Sequence, residues 1–273
     1  MMGGSVNYDV LKNADDKELI KQPFQSFFEE VFGKPLSDEL WRHQFIHSPY
    51  GDTALFIATV GTKIIGSALQ IRQKIVIGDK IHDYYLYTTS AILKEYRPRG
   101  VYAELLKIQK EYARNNAASF IFAYPNALAH PVLKLFGGFK NVEKITLVKT
   151  KLLNVDVVNN AETQGLLMDL PLFNWRFEHR DYKFTRQGEA VIVYKEYGGA
   201  FDILAIYKQD VFVGIKVNFD ELDQNADVIV SQKYVISTQN SEVVEYLNGT
   251  FFPFNKEIVA SDIHLNLLMS DVF

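Results

Sequence analysis

Apolar residues recur along this chain with two periods, and the switches between them mark out its elements. Residues 6–11 (VNYDVL) read as a short strand. Phe24, Phe27, Phe28 and Val31 follow at i, i+3, i+4 and i+7, the stripe of an amphipathic helix that Gly33 and Pro35 end. Ser37 is placed to cap a second helix carrying Leu40, Trp41 and Phe45, which HSPYG (47–51) breaks. Strands are expected at 54–60, at 63–73, and at 75–77 with 81–87, divided by Gly61 and by Gly78-Asp79, the last running on to about Leu93. Beyond the loop EYRPRG (95–100), Val101, Leu105, Ile108 and Tyr112 share one helix face. SFIFAY (119–124) is a compact buried strand, 125–139 a turn, short helix and glycine stop, and 144–152 another strand. The order β-α-α-β-β-β-α-β-α-β predicts a mixed α/β layer architecture.

The pattern then changes. Residues 153–180 are less regular and read as a linker packed by Phe173, Trp175 and Phe177. Strand patterns follow at 189–195, 201–207 and 211–219, the last with Val211, Val213, Ile215, Val217 and Phe219 alternating. A short helix is expected at 241–248, closed by Gly249, and a final strand at about 263–268. The expected organisation is a larger domain over 6–152, the packed linker 153–180, and a smaller strand-rich α/β domain over 181–273.

Composition narrows the chemistry. The 273 residues include no cysteine, which excludes a disulfide scaffold, a Cys-ligated metal and a thiol nucleophile. A formal net charge of −4 argues against a broad phosphate-binding face, so nucleic acid is not an expected partner. No window approaches a membrane-spanning apolar run, and the opening MMGGSVNYDV lacks the pattern of a secretory signal; a cytoplasmic location is the expectation. His43 and His47 stand four apart on a helix pattern, but no HExxH surrounds them, so no metal is expected. The 20 Phe, 15 Tyr and 2 Trp mostly fall on element faces and belong to cores.

The stretch that carries chemistry is the long strand to Leu93, then Tyr96-Arg97-Pro98-Arg99-Gly100-Val101-Tyr102 entering a helix. A helix N-terminus presents unpaired N–H groups and partial positive charge. Gly100 permits close backbone approach, and Arg97 and Arg99 add two cations, so the junction suits a pyrophosphate. Strand–turn–helix junctions with Arg and Gly also occur without any ligand, and the junction alone leaves both readings open.

The element order, the Arg-x-x-Gly loop after a long strand, and the later Tyr124-Pro125-Asn126 with Gly138-Phe139 resemble a GCN5-related N-acetyltransferase over roughly residues 6–152. The resemblance implies acetyl-coenzyme A as acyl donor. It implies that Ser90 to Leu93 carry the pantetheine strand, with Ile92 and Leu93 nearest the loop. It implies that Arg97, Arg99, Gly100, Val101 and Tyr102 hold the pyrophosphate, and that Asn126 lies along the pantetheine arm. The chain departs from the family pattern at Pro98, usually Gly, and at Tyr102, usually Gly or Ala, although a subset carries a bulky aromatic there. The family's usual tyrosine acid has no counterpart in Leu133 to Phe136. Phe32-Gly33-Lys34-Pro35-Leu36-Ser37, Leu172-Phe173-Asn174-Trp175-Arg176-Phe177 and the closing Ser270-Asp271-Val272-Phe273 resemble a two-part bacterial group whose second half is degenerate. Some of that group are associated with surface-polysaccharide synthesis, where an amino sugar would be the acceptor.

The implied reaction is direct attack of a small-molecule amine on the thioester. An ammonium must first lose a proton, and the tetrahedral oxyanion needs a donor such as a backbone N–H near Ile92. Candidate bases are Asp83, Glu95 and His130. Each also has a plain reading: a turn-closing surface carboxylate, a solvated partner of the loop arginines, and a helix-start or surface imidazole. Two other functions fit the sequence. One is a non-catalytic binding protein on the same fold; the other transfers a different acyl or an aminoacyl group.

Overall fold

A computed structural model describes residues 4–51, 53–177, 181–237 and 241–263. Strand β1 (Val6–Leu11) leads into helices α1 (Ala14–Leu19) and α2 (Lys21–Phe32). The expected stripe on α2 turns inward as buried Phe24, Phe27 and Phe28, and Gly33 ends the helix in the left-handed region at φ 69°. Ser37 Oγ accepts from the Leu40 amide at 3.1 Å and so caps α3 (Asp38–Trp41), which continues as a π-helical turn, Arg42–Ile46. Strand β2 (Ala54–Val60) is followed by β3 (Lys63–Ile77) and β4 (Lys80–Ile92). The expected break after residue 73 does not occur: β3 runs through to Ile77, and Gly78-Asp79 turns one long hairpin.

A 3-10 turn, Lys94–Arg99, enters α4 (Val101–Asn115). Then come β5 (Phe120–Ala123), α5 (Ala129–Leu135) and β6 (Lys140–Lys151). The stretch expected to be a linker holds β7 (Gly165–Leu166) and α6 (Leu170–Phe177). Trp175 fastens α6: its ring stacks on His43 at 4.7 Å and its Nε1–H lies 2.9 Å from the carbonyls of both His43 and His47. Strands β8 (Lys183–Gln187), β9 (Ala190–Tyr197), β10 (Ala200–Lys208), β11 (Asp227–Ser231) and β12 (Glu242–Pro253) complete the described chain.

Two expectations fail in this part. The alternating run 211–219 is a 3-10 turn, Gln209–Phe212, followed by irregular chain with Val213 81% exposed. Alternation without a partner edge does not make a strand. The expected helix 241–248 is the start of β12, because that segment finds β6 beside it and pairs Glu242↔Lys149 through Phe251↔Lys140. The expected strand at 263–268 lies, apart from Ile263, outside the described residues, as does the closing Ser270 to Phe273.

The strands form one sheet in the order β1-β2-β3-β4-β5-β12-β6-β11-β10-β9-β8, with β7 on β3. This order contains the same arrangement twice. In the first, β2, β3 and β4 are antiparallel, β5 is parallel to β4, and β12 is antiparallel to β5. In the second, β8, β9 and β10 are antiparallel, β11 is parallel to β10, and β6 is antiparallel to β11. Each set is therefore completed by the last strand of the other, and β6 and β12 pair antiparallel at the centre. The largest core cluster draws on both sets, joining Phe56, Tyr84 and Phe120 to Val193, Tyr207 and Phe251.

Two consequences are measurable. Phe251 is 1% exposed and meets Phe120 edge-on at the exchanged strand. Phe251→Ala is expected to cost about 3–5 kcal/mol in urea unfolding. Far-ultraviolet circular dichroism and tryptophan fluorescence should still report one shared transition. A first transition confined to one probe would contradict a common core.

Burial also pushes the hydroxyl pKa values of Tyr84, Tyr87, Tyr124 and Tyr234 upward, with neighbouring tyrosines, and Glu162 beside Tyr124 and Tyr234, adding to the shift for all but Tyr84. The folded state then holds protons that the unfolded chain loses above about pH 10. Their contribution is complete below that pH and is lost as pH rises through it. The melting temperature should fall steeply between about pH 9 and pH 11, with part of the tyrosinate absorbance appearing only on unfolding.

Candidate functional site

The site begins where two parallel strands part. β4 and β5 pair only from Tyr84↔Phe120 to Tyr87↔Ala123. β5 then stops, while β4 runs on to Ile92 with β3 on one side, through Leu69↔Thr88, Ser67↔Ala91 and Gly66↔Ile92. Between Thr88 and Ala91 the register slips by one residue, a bulge that bends β4. Thr89 sits in it at φ 49°, an outlying conformation for a β-branched residue. Its carbonyl accepts from Ser67 Oγ at 3.3 Å, and its own hydroxyl is buried without a protein partner. No further strand borders this side of β4 beyond Ala123 among the described residues, so a wedge opens there.

At the foot of the wedge the chain turns into α4. Gly66 lets β3 lie close: a Cβ there would stand 2.5 Å from Ile92 Cδ1 and 3.4 Å from Val101 Cγ1. Ile92, Leu93 and Val101 are buried and shape the corner with their side chains. Gly100 adopts φ 72° and precedes α4 without any side-chain cap. The first bond inside α4 runs from the Glu104 amide to the Gly100 carbonyl, so the amides of Val101, Tyr102 and Ala103 have no acceptor within the helix. Arg97 Nε donates to the Ile92 carbonyl at 3.2 Å, and the Arg99 guanidinium lies 4.8 Å from the Tyr96 ring. Pro98 lies inside the 3-10 turn.

Tyr102, the unusual residue of the loop, points into a hydroxyl cluster. Tyr87 Oη lies 2.6 Å from Ser90 Oγ and 2.9 Å from Tyr102 Oη. A phenol has one proton to give, so only one of these contacts can use Tyr87 as donor. Burial raises the pKa of both tyrosines, and the cluster stays neutral. It ties the bulge to the first turn of α4. Nothing in the loop sequence alone signals this tie, because it needs Tyr87 two residues before the bulge.

Asn126 is exposed and lies in the loop between β5 and α5. Its Oδ1 accepts from the amides of Leu128 and Ala129 at 3.1 and 2.9 Å, which leaves the Nδ2 group to face outward contacts. Tyr124 stacks edge-on against Phe122 at 4.9 Å, one residue past the end of β5. The three candidate bases are dispersed. His130 lies on α5 with Nε2 3.0 Å from Asn141 Oδ1. Asp83 is ion-paired with Arg72 at 3.1 Å, where β4 faces Lys74, before the parallel pairing starts. That is about 16 Å of extended strand before Thr88. Glu95 is exposed beside Lys63 at 3.5 Å, and its carboxyl is held below the usual range first by its own backbone amide and then by that lysine. Ile92, Leu93, Arg97, Arg99, Gly100, Val101 and Tyr102 thus lie together where β4 turns into α4, while Asn126 lies beyond the end of β5.

No family model matches the chain, and no curated protein matches it in sequence. Solved structures do match in shape. A conserved protein of unknown function from Enterococcus faecalis, described as a probable N-acyltransferase, aligns with TM-score 0.64 and 11% identity over 92% of this chain and 73% of its own. A GCN5-related N-acetyltransferase from Kribbella flavida aligns with TM-score 0.62 and 10% identity over 92% of this chain and 72% of its own. A putative acetyltransferase from Pyrococcus horikoshii gives TM-score 0.54 and 11% identity over 98% of this chain and 94% of its own. At such identities the likeness is one of architecture, and it extends through both strand sets. This chain has the fold of the GCN5-related N-acetyltransferases.

Proposed function

We propose that the protein is an acyl-CoA-dependent N-acyltransferase that takes acetyl-CoA as donor and a small-molecule amine as acceptor. The observation that carries this reading is the wedge beside β4 opening directly onto the uncapped amide terminus of α4. A thioester donor of this kind has an extended arm with two amides and a pyrophosphate at its end. At Ser90 to Leu93 the wedge offers such an arm an edge that no described strand covers, once Arg97 releases the Ile92 carbonyl. The amides of Val101 to Ala103, the Gly100 backbone, Arg97 and Arg99 offer anion contacts. Gly100 has open space where a side chain would project.

The bound donor would supply the thioester; the chain's residues do the rest. A backbone N–H at the bulge, beside Ile92, is the donor available to a developing oxyanion. Of the three candidate bases, His130 lies in the first turn of α5, just after Asn126, while Asp83 and Glu95 already face Arg72 and Lys63. His130 is therefore the base in this reading, reached directly or through water. Tyr124, one residue past the end of β5, is the phenol that serves as proton donor to the departing thiolate. The ion pairs of Asp83 and Glu95 also support a second reading, in which the protein binds the donor without turnover.

Isothermal titration with acetyl-CoA and a thiol-release assay over a panel of amines test these readings. Gly100→Val forces a β-branched residue to φ 72°, at about 1–2 kcal/mol. It should also weaken acetyl-CoA by more than about tenfold, or about 1.4 kcal/mol. Gly33→Val imposes the same backbone cost at φ 69° on the end of α2 and should leave affinity unchanged. Equal affinities in the two variants would remove the loop from the site. Binding without thiol release on any amine would favour the second reading.

A further inference from the structure

The two strand sets place two wedges in the sheet, and the second is occupied by the chain itself. β10 and β11 pair in parallel only at Phe201↔Val228 and Asp202↔Ile229. β10 then bulges between Ile203 and Ala205 and runs on to Lys208 with β9 on one side, as β4 runs on beside β3. A 3-10 turn and a glycine in the left-handed region follow in both places: Lys94–Arg99 with Gly100 at φ 72°, and Gln209–Phe212 with Gly214 at φ 73°. Counting from each bulge aligns Ala91 with Ala205, and hence Ile92 with Ile206.

In the second wedge the Glu162 amide donates to the Ile206 carbonyl at 2.9 Å, and the Lys208 amide donates to the Glu162 carbonyl at 3.0 Å. This is a parallel bridge to Tyr207 on the side away from β9. The side chain is clamped as well: Glu162 Oε1 accepts from Tyr234 Oη at 2.6 Å and Lys233 Nζ at 2.7 Å, both residues of the turn after β11. In the first wedge the aligned Ile92 carbonyl accepts from Arg97 Nε, the tip of a side chain that rotates away without unfolding anything. A main-chain bridge between β10 and a clamped carboxylate has no such freedom.

We infer that Glu162 seals the second wedge with its own peptide group, so that the protein holds one acyl-CoA per chain and holds it in the first wedge. This rests on the proposed function for the identity of the ligand; the seal itself rests on the Glu162 bonds alone. No helix follows Gly214, where residues 215–226 are irregular, so the second corner also lacks the amide terminus that α4 provides.

Native mass spectrometry of the full chain with saturating acetyl-CoA counts the ligands, and amide hydrogen exchange at Lys208 reads the seal. The expected results are one ligand per chain and at least tenfold less in Gly100→Val. Lys208 exchange should be slow and equal with and without ligand. Glu162→Pro removes the donor to Ile206 and should speed Lys208 exchange at least tenfold, while Glu162→Gln should keep it slow. Two ligands per chain, a single ligand undiminished in Gly100→Val, or Lys208 exchanging like an exposed loop amide would each overturn the inference. No ligand bound with Lys208 still protected would overturn the proposed function and leave the sealed wedge standing.

Discussion

The antiparallel pairing of β6 with β12 is the constraint on which the rest of the molecule depends. A strand presents N–H and C=O groups on both edges, and burying an edge without partners is costly. β5 is four residues long and β11 five, each too short to finish its set. β12 supplies the far edge of β5 and β6 that of β11, and the two then bond to each other. Neither set is closed until the whole chain is present. The parallel strands can therefore stop short, and their early ends create the wedges.

A wedge is a local failure of strand pairing, and the structure meets the failure differently at its two positions. On β10 the unpaired edge is met by Glu162, at a fixed main-chain cost, with a half-buried carboxylate held by Tyr234 and Lys233. On β4 the edge is left to an arginine side chain and to whatever enters. The strained φ of Thr89 and its unpartnered buried hydroxyl lie at that open edge and not at the closed one. Strain of this kind persists only where surrounding packing holds it, and it clusters at active sites, ligand clamps and switch regions.

Much of the first half was legible in the sequence because its signals are local. The α2 stripe, the Ser37 cap and the loop from Tyr96 to Tyr102 each state their geometry within a few residues. What stayed hidden depends on distant partners. β12 opens with Val243, Val244, Tyr246 and Leu247 ahead of Gly249, a spacing that imitates a helix and its stop, although the strand continues to Pro253. Its first five residues are exposed, so no buried alternation marks it as a strand; only β6 does. The run 211–219 errs in the opposite sense, since its alternation is sound but no edge is left for it to join. Glu162 carries no local signal at all, because its role is a main-chain bridge to Tyr207, far along the chain.

The same dependence on distant partners separates the candidate bases. Asp83 and Glu95 flank the long strand and the loop in sequence, yet strand geometry carries Asp83 away from the bulge and solvent surrounds Glu95. A carboxylate already bonded to a guanidinium must give up that partner before it can take a proton from an amine. His130 is held instead by the side-chain oxygen of Asn141. That oxygen can accept only from a protonated Nε2, which fixes the other ring nitrogen as the acceptor whenever the imidazole is neutral. With His130 as the base, the acceptor amine must therefore approach its Nδ1 side. An amine arriving at Nε2 would have to break the Asn141 bond first.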